Sequence, residues 1–125
     1  MSRYGYTRGF GYLEPKRHIP HITDLDGEEA TTFGAVLARV TSALKRAAEA
    51  ELAWVYIFGG GIAHLHVHLA PHRAGDALNS QIIRGAVETE KLPSGAGRTR
   101  SLEFEELPAE EIRSVIERAR ALLDA

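Results

Sequence analysis

Three histidines stand at every second position of one short segment, HLHVHLAP, which covers residues 64–71. Successive side chains of a β-strand point to opposite faces, so a strand here would place His64, His66 and His68 on one face. The apolar residues between them would lie on the other face and pack against the rest of the protein. The spacing therefore predicts a half-buried strand that presents three imidazoles on one side.

The pattern leaves three interpretations of these histidines open. In the first, an ordinary half-buried strand happens to carry histidine on its solvent side. In the second, neutral imidazoles two residues apart share one zinc ion, which needs a further ligand from a carboxylate or another histidine because the chain has no cysteine. In the third, one imidazole attacks a phosphorus atom as a nucleophile.

Covalent catalysis suits imidazole at neutral pH. With an ordinary pKa of about 6.5, most of a histidine population is already unprotonated and needs no strong base to become a nucleophile. His66, the middle residue, would attack. The flanking His64 and His68 would donate hydrogen bonds to the phosphate and to the departing group, where charge develops during phosphoryl transfer.

The residues before the histidines predict a hairpin. Residues 53–58, AWVYIF, are mostly β-branched and aromatic, which is typical of a strand. Three glycines at 59–61 join this strand to the histidine segment, and so short a connection requires an antiparallel pair. The glycines suit either a simple turn or a close backbone approach to phosphate oxygens, which makes Gly60 and Gly61 candidate substrate-binding residues.

Two amphipathic helices are predicted, one on each side of this hairpin. The first starts at Asp26, which with Glu29 forms a variant of the capping box, and ends near residue 51. The second starts at Pro108, where a missing N–H costs nothing, and runs to about residue 124. The order of strand, helix, hairpin and helix predicts an α+β fold, with a mostly antiparallel sheet and the helices packed on one face.

The remaining stretches carry weaker patterns. Aromatic residues at even positions between residues 4 and 12 predict an extended segment with one aromatic face, which belongs more often to a core than to a ligand site. Residues 71–100 are polar and turn-rich, with one apolar patch at Ile82 and Ile83 that suits a short helix or strand. A short strand is predicted over residues 101–107, SLEFEEL.

Composition narrows the class of protein. The chain has 125 residues, a formal net charge of −2 and no cysteine, which predicts one globular domain without disulfides or thiol chemistry. Because there is no overall basic field, extended nucleic acid is not an expected partner. The first ten residues lack the apolar core of a signal peptide and no later run approaches a membrane span, so we expect a cytoplasmic protein without a membrane partner.

The segment HLHVHLA resembles the signature of the histidine triad, or HIT, family, in which three histidines alternate with apolar residues. The likeness extends from about Gly11 to Asp76. GYLEPKRHI is similar to the family's strand followed by P-x-x-H, DLDGEEA to its first-helix entry and PHRAGD to the segment after the triad. The resemblance implies a single HIT-like domain over residues 1–125, with a triad core at 11–76, a C-terminal helix at about 108–124 and assembly into a homodimer.

The resemblance also implies an activity and a role for each histidine. A small-molecule nucleotide, either a nucleoside phosphoramidate or a dinucleoside polyphosphate, would be hydrolysed at its α-phosphate through a nucleotidyl-histidine, without cofactor or metal. By motif position His66 would be the nucleophile and His68 would assist at the phosphate and the leaving group. His64 would orient the site, and His18 would match the additional histidine that buttresses the nucleophile.

The third triad position bears on the type of reaction. Transferase and phosphorylase branches that resemble this family commonly have glutamine there, whereas His68 is able to protonate a leaving group and then assist water, so it favours a hydrolase. The segment before the triad, FGGGIA, lacks the polar side chains that many members have. A nucleotide-binding or protein-binding module with little turnover is therefore the alternative function.

Overall fold

The described part of the chain combines short antiparallel strands with two helices. A computed structural model describes residues 9–75, 85–103 and 107–125, so the expectations for residues 4–8, for Ile82 and Ile83, and for residues 104–106 fall outside it. The elements are β1 (Gly11–Leu13), a 3₁₀ turn (Ile22–Asp24), α1 (Gly27–Ala47), β2 (Leu52–Tyr56), β3 (Val67–His72), β4 (Gly85–Lys91), β5 (Gly97–Glu103) and α2 (Ala109–Asp124). The α+β prediction is confirmed.

Three strands form an antiparallel sheet in the order β1-β3-β2. The antiparallel pairing of β2 with β3 confirms the predicted hairpin, and its register sets Tyr56 opposite His68. The prediction that all three histidines lie within one strand is wrong, since regular pairing begins only at Val67. The pairing with β2 stops at Tyr56, the last residue of that strand. Two residues before β3 begins, Leu65 donates its backbone N–H to the carbonyl of Ile19 at 2.6 Å instead of pairing with β2.

Helix α1 begins where the sequence predicts it. Asp26 is the N-cap, and its carboxylate accepts a hydrogen bond from the Gly27 N–H at 2.8 Å. The reciprocal half of the expected capping box is replaced by an ion pair, because Glu29 accepts from Arg17 at 2.8 Å. The helix ends at Ala47, before the predicted end near residue 51.

The two helices pack against each other through small residues. Ala47 of α1 lies in one buried cluster with Val115 and Ala119 of α2, and Leu44 and Leu122 cover it. Alanine has almost no side chain, so it allows two helices to approach closely. Helix α1 also contacts β2 and β3, and α2 packs against α1.

A second, two-stranded sheet is formed by β4 and β5, which pair as an antiparallel hairpin. The Gly95 N–H donates to the Leu92 carbonyl at 2.9 Å, which closes a β-turn with Pro93 at its second position. Strand β4 has no counterpart in the sequence prediction. Neither described helix combines the length and hydropathy that a membrane span requires, and the cytoplasmic location stays a prediction.

The apolar residues that alternate with the histidines form part of the core. Leu65, Val67 and Leu69 are all almost completely buried, and Leu69 has no exposed surface. We expect Leu69→Ala to lower the free energy of unfolding by about 2–5 kcal/mol, because it removes buried methyl groups and leaves a cavity. Urea denaturation measures this loss, with Ile22→Ala at an exposed position as the control. A loss as small as that of the control would contradict the packing described here.

Candidate active site

The three histidines of the HLHVHLAP segment face one cavity of about 350 Å³. Its other lining residues are Phe10, Tyr12, Glu14 and Ile62. The prediction that the alternating histidines share one side is confirmed, although only the third belongs to the regular strand. A cavity of this size accommodates a phosphate together with attached groups.

Strand β1 supplies one wall of this cavity. Its register with β3 sets Tyr12 opposite His68, so two side chains on adjacent strands lie on the same face. Phe10 is buried, as the sequence predicts for the aromatic face, whereas Tyr12 keeps 38% of its surface exposed and borders the histidines. The aromatic segment thus contributes to both the core and the cavity.

A hydrogen bond to the backbone determines which ring nitrogen of His66 carries the hydrogen. Its Nδ1 lies 2.8 Å from the backbone carbonyl oxygen of His64. A carbonyl oxygen only accepts, so Nδ1 carries the hydrogen and the neutral ring keeps its lone pair on Nε2. His66 is half-buried and lines the cavity. This geometry suits a nucleophile that attacks through Nε2.

His64 joins the triad segment to the loop after β1. Its Nε2 lies 3.2 Å from the Pro15 carbonyl oxygen and its Nδ1 lies 3.0 Å from Nδ1 of His18. Because the carbonyl accepts, Nε2 of His64 is the donor, and the neutral ring accepts from His18 at Nδ1. His18 therefore supports His64 by side-chain contact, and the connection from His64 to His66 runs through the His64 backbone carbonyl.

These contacts bear on the zinc interpretation. Both ring nitrogens of His64 are engaged by protein groups, so ligation of a metal would require one of those contacts to break. Within residues 9–75, 85–103 and 107–125, no three His, Asp or Glu side chains converge in an arrangement suited to a metal ion.

His68 occupies the most aromatic part of the cavity. Only 9% of the residue is exposed, and both ring nitrogens are shielded from solvent. Its ring stacks on Tyr56 with centroids 5.4 Å apart and planes 23° apart. Phe58 and Tyr12 meet the same ring edge-on at 5.1 and 5.2 Å.

Burial perturbs the titration of Tyr56. Its hydroxyl is buried without a hydrogen-bond partner in the described chain. Burial, and secondly the nearby Tyr12, raise the pKa of Tyr56 from its ordinary 10.0 to about 12. The hydroxyl therefore stays protonated throughout the neutral range.

This pKa gives a prediction for alkaline titration. The unfolded chain loses the Tyr56 proton near pH 10 while the folded protein retains it, so this contribution to stability is complete below pH 10 and falls as the pH rises toward 12. In ultraviolet absorbance, we expect one of the four tyrosines to form phenolate last. Tyr56→Phe should remove that late phase, and its persistence in the variant would contradict the assignment.

The two candidate substrate-binding glycines lie in the exposed loop that follows β2. Gly60 and Gly61 are exposed, and a Cβ added at either would meet no atom within 4 Å. The positive φ of the loop falls on Gly59, at 72°. Ile62 belongs to this loop and is among the described residues that line the histidine cavity, whereas Gly60 and Gly61 are not. The role of Gly60 and Gly61 stays a prediction.

Sequence reasoning left out four residues that surround the histidines. They are Tyr12, Glu14, Tyr56 and Phe58. The period of two in the strand patterns puts Tyr12 and Glu14 on one face, but only the register of β1 and β2 against β3 reveals which residues meet His68.

Three curated relatives have sequence similarity to this chain. A nitrilase and fragile histidine triad fusion protein of Caenorhabditis elegans is 27% identical over 105 residues, which cover 80% of this chain and 24% of that protein. A HIT-like protein of Mycobacterium tuberculosis is 32% identical over 79 residues, covering 59% and 55%. A bis(5′-adenosyl)-triphosphatase of Dictyostelium discoideum is 28% identical over 108 residues, covering 82% and 68%. No protein-family model matches the chain.

Two of these relatives carry the histidine triad name, and this chain has three alternating histidines on an α+β fold. The chain is similar to proteins of the histidine triad family. It spans about a quarter of the C. elegans relative and just over half of the mycobacterial one. Because the chain spans so little of these two relatives, its activity, substrate and intermediate need an argument from the site itself.

Proposed function

We propose that the protein hydrolyses a nucleotide at its α-phosphate, in a nucleoside phosphoramidate or a dinucleoside polyphosphate, through a nucleotidyl-histidine on His66. The observation that carries this proposal is the 2.8 Å contact between His66 Nδ1 and the His64 carbonyl, which leaves Nε2 as the lone-pair nitrogen in the cavity. The similarity to known proteins also favours hydrolysis of a nucleotide, since one relative is named a bis(5′-adenosyl)-triphosphatase.

The reaction proceeds in two displacements at phosphorus. In the first, Nε2 of His66 forms a bond to the α-phosphorus while the bond to the leaving oxygen or nitrogen breaks, and His68 gives the leaving atom a proton. In the second, water attacks the phosphorus, the P–N bond to His66 breaks, and the proton of the attacking water returns to His68. The nucleoside monophosphate is released and both histidines regain their starting state.

Trapping the intermediate tests this proposal most directly. The protein is mixed with adenosine phosphoramidate and, separately, with a dinucleoside polyphosphate, quenched, and digested for mass spectrometry. We expect product release and a nucleotidyl adduct within residues 62–73, at His66. Turnover without any adduct on His66 would contradict the covalent mechanism. Binding without turnover would favour the alternative function of a nucleotide-binding or protein-binding module.

We also propose that two copies associate through β2. In the described sheet β2 is an edge strand, and an unpaired edge is able to pair with a second chain. Leu52 and Val55 of this strand are 45% and 42% exposed, and they line a groove with Leu37 and Thr41 of α1. A second copy that pairs its own β2 antiparallel would cover these apolar residues on both chains.

Light scattering measures this association. We expect a dimer at micromolar concentration and a monomer for Val55→Asp, because the substitution buries a charge in the interface. Ile22→Asp, at an equally exposed apolar position outside the groove, should remain dimeric. A wild-type monomer would contradict the proposal.

A further inference from the structure

Strand β2 places an aromatic ring nearly parallel to the imidazole of each of two histidines of β3. Tyr56 stacks on His68 with planes 23° apart and centroids 5.4 Å apart, and Trp54 stacks on His72 with planes 29° apart and centroids 4.3 Å apart. His72 is 1% exposed and is not among the described residues that line the histidine cavity. The same kind of contact therefore occurs once beside the cavity and once away from it.

The near-parallel contact with Tyr56 differs in geometry from the other aromatic contacts of His68. Phe10, Tyr12 and Phe58 meet the His68 ring edge-on, at 77°, 73° and 74°. The Tyr56 ring instead lies nearly parallel to it and offset, with the planes 23° and the centroids 5.4 Å apart. Rotation of the imidazole about its Cβ–Cγ bond would take it out of this near-parallel packing with Tyr56. Since His68 is only 9% exposed, the surrounding atoms leave little room for the ring to move away.

The orientation of the His68 ring matters because His66 lies beside it. The ring centroids of His66 and His68 are 5.0 Å apart, so a phosphorus bonded to His66 would stand next to His68. Proton transfer to a leaving atom requires hydrogen-bond geometry at that moment, and misplacement by about 1 Å costs on the order of a hundredfold in rate. Tyr56 is not among the described residues that line the cavity, and it reaches the cavity through lining residues that it contacts, His68 by parallel packing and Phe10 by a tilted contact.

We infer that Tyr56 is a positioning residue, whose ring holds the imidazole of His68 in the plane in which it protonates the leaving group. The inference rests on the proposed function, since it takes His68 as the acid in the displacement at phosphorus. Its hydroxyl group has no part in this role, because the stacked ring alone provides the contact.

The inference predicts a dependence on the leaving group. An alkylamine leaves a phosphoramidate only after its nitrogen gains a proton, whereas p-nitrophenolate departs as a stable anion without one. The bond to phosphorus breaks in the first displacement for both substrates, and kcat/KM reports that step. Disorder in the His68 plane should therefore slow the alkyl phosphoramidate and leave the nitrophenyl ester nearly unaffected.

The experiment compares three variants on two substrates, adenosine 5′-N-alkylphosphoramidate and adenosine 5′-(p-nitrophenyl phosphate). We expect Tyr56→Leu to lower kcat/KM by about tenfold or more on the amidate and by less than about twofold on the ester. Tyr56→Phe, which keeps the ring, should remain within about twofold of the wild type on both substrates. Trp54→Leu removes the matching stack on His72, and it should change the two substrates equally.

Each result has a distinct meaning. A wild-type protein that hydrolyses neither substrate overturns the proposed function. A wild-type protein that hydrolyses both, with equal losses on the two substrates in Tyr56→Leu, overturns the positioning role alone and assigns Tyr56 to structure. Should Tyr56→Leu fail to fold, Tyr56→Met keeps more bulk without an aromatic face, and the ratio of its two losses decides in the same way.

Discussion

Replacing His66 with alanine is expected to lower hydrolysis of adenosine phosphoramidate by about a thousandfold or more, because no other group then forms the bond to phosphorus. The substitution removes a half-buried ring at a cavity wall, so it should cost little stability. Steady-state release of AMP measures the rate, and mass spectrometry should detect no adduct in residues 62–73. Far-ultraviolet circular dichroism checks that the fold is retained.

The result separates a nucleophile from a histidine that only binds. Added imidazole should restore part of the activity of His66→Ala, since it is able to occupy the emptied position and attack in place of the side chain. His21→Ala removes an exposed histidine that is not among the described cavity-lining residues and should retain wild-type turnover. Retention of more than about a tenth of the activity by His66→Ala would contradict its assignment as nucleophile.

The sequence predicts those features of the structure that depend on local periodicity. The alternation in HLHVHLAP correctly separates three buried apolar residues from three cavity-lining histidines. Asp26 predicts the start of α1, because a carboxylate before an amphipathic stripe satisfies a free N–H there. These predictions succeed since each depends on neighbouring residues and one geometrical period.

The parts that the sequence leaves out depend on contacts between distant segments. The period of two cannot place the start of β3, which depends on where β2 stops and on the Leu65 contact with Ile19. The stack of Tyr56 on His68 follows from the β2–β3 register, which a single sequence leaves undetermined. Likewise, the contact of His18 with His64 joins residues 46 positions apart.

The hairpin of β4 and β5 is a different kind of omission. Its turn, LPSGA over residues 92–96, carries proline and glycine at positions that favour a β-turn. The flanking strands are rich in charged residues and threonine, so the apolar alternation that reveals a half-buried strand is weak there. The strand predicted over residues 101–107 overlaps the end of β5 at residues 101–103, whereas β4 is indicated only by the turn that follows it.

Replacing His68 with glutamine should separate the two chemical steps. Glutamine neither gives a proton to a leaving group nor takes one from water, so we expect steady-state hydrolysis to fall by about a hundredfold to ten-thousandfold. His66 still attacks a substrate with a stable leaving group. With adenosine 5′-(p-nitrophenyl phosphate) the variant should therefore release one equivalent of nitrophenol rapidly and accumulate the nucleotidyl adduct on His66.

The matched control is His72→Gln, because His72 is also buried and stacked against an aromatic ring of β2 but is not among the described residues that line the cavity. Both variants place an amide in an aromatic environment, so they should lose similar stability on urea denaturation. Only His68→Gln should accumulate the adduct. If the two variants hydrolyse at the same rate, the loss reflects packing, and His68 takes no part in proton transfer. A fast burst followed by slow turnover in His68→Gln alone means that the third histidine serves the water step, which is what distinguishes a hydrolase from a transferase at this position.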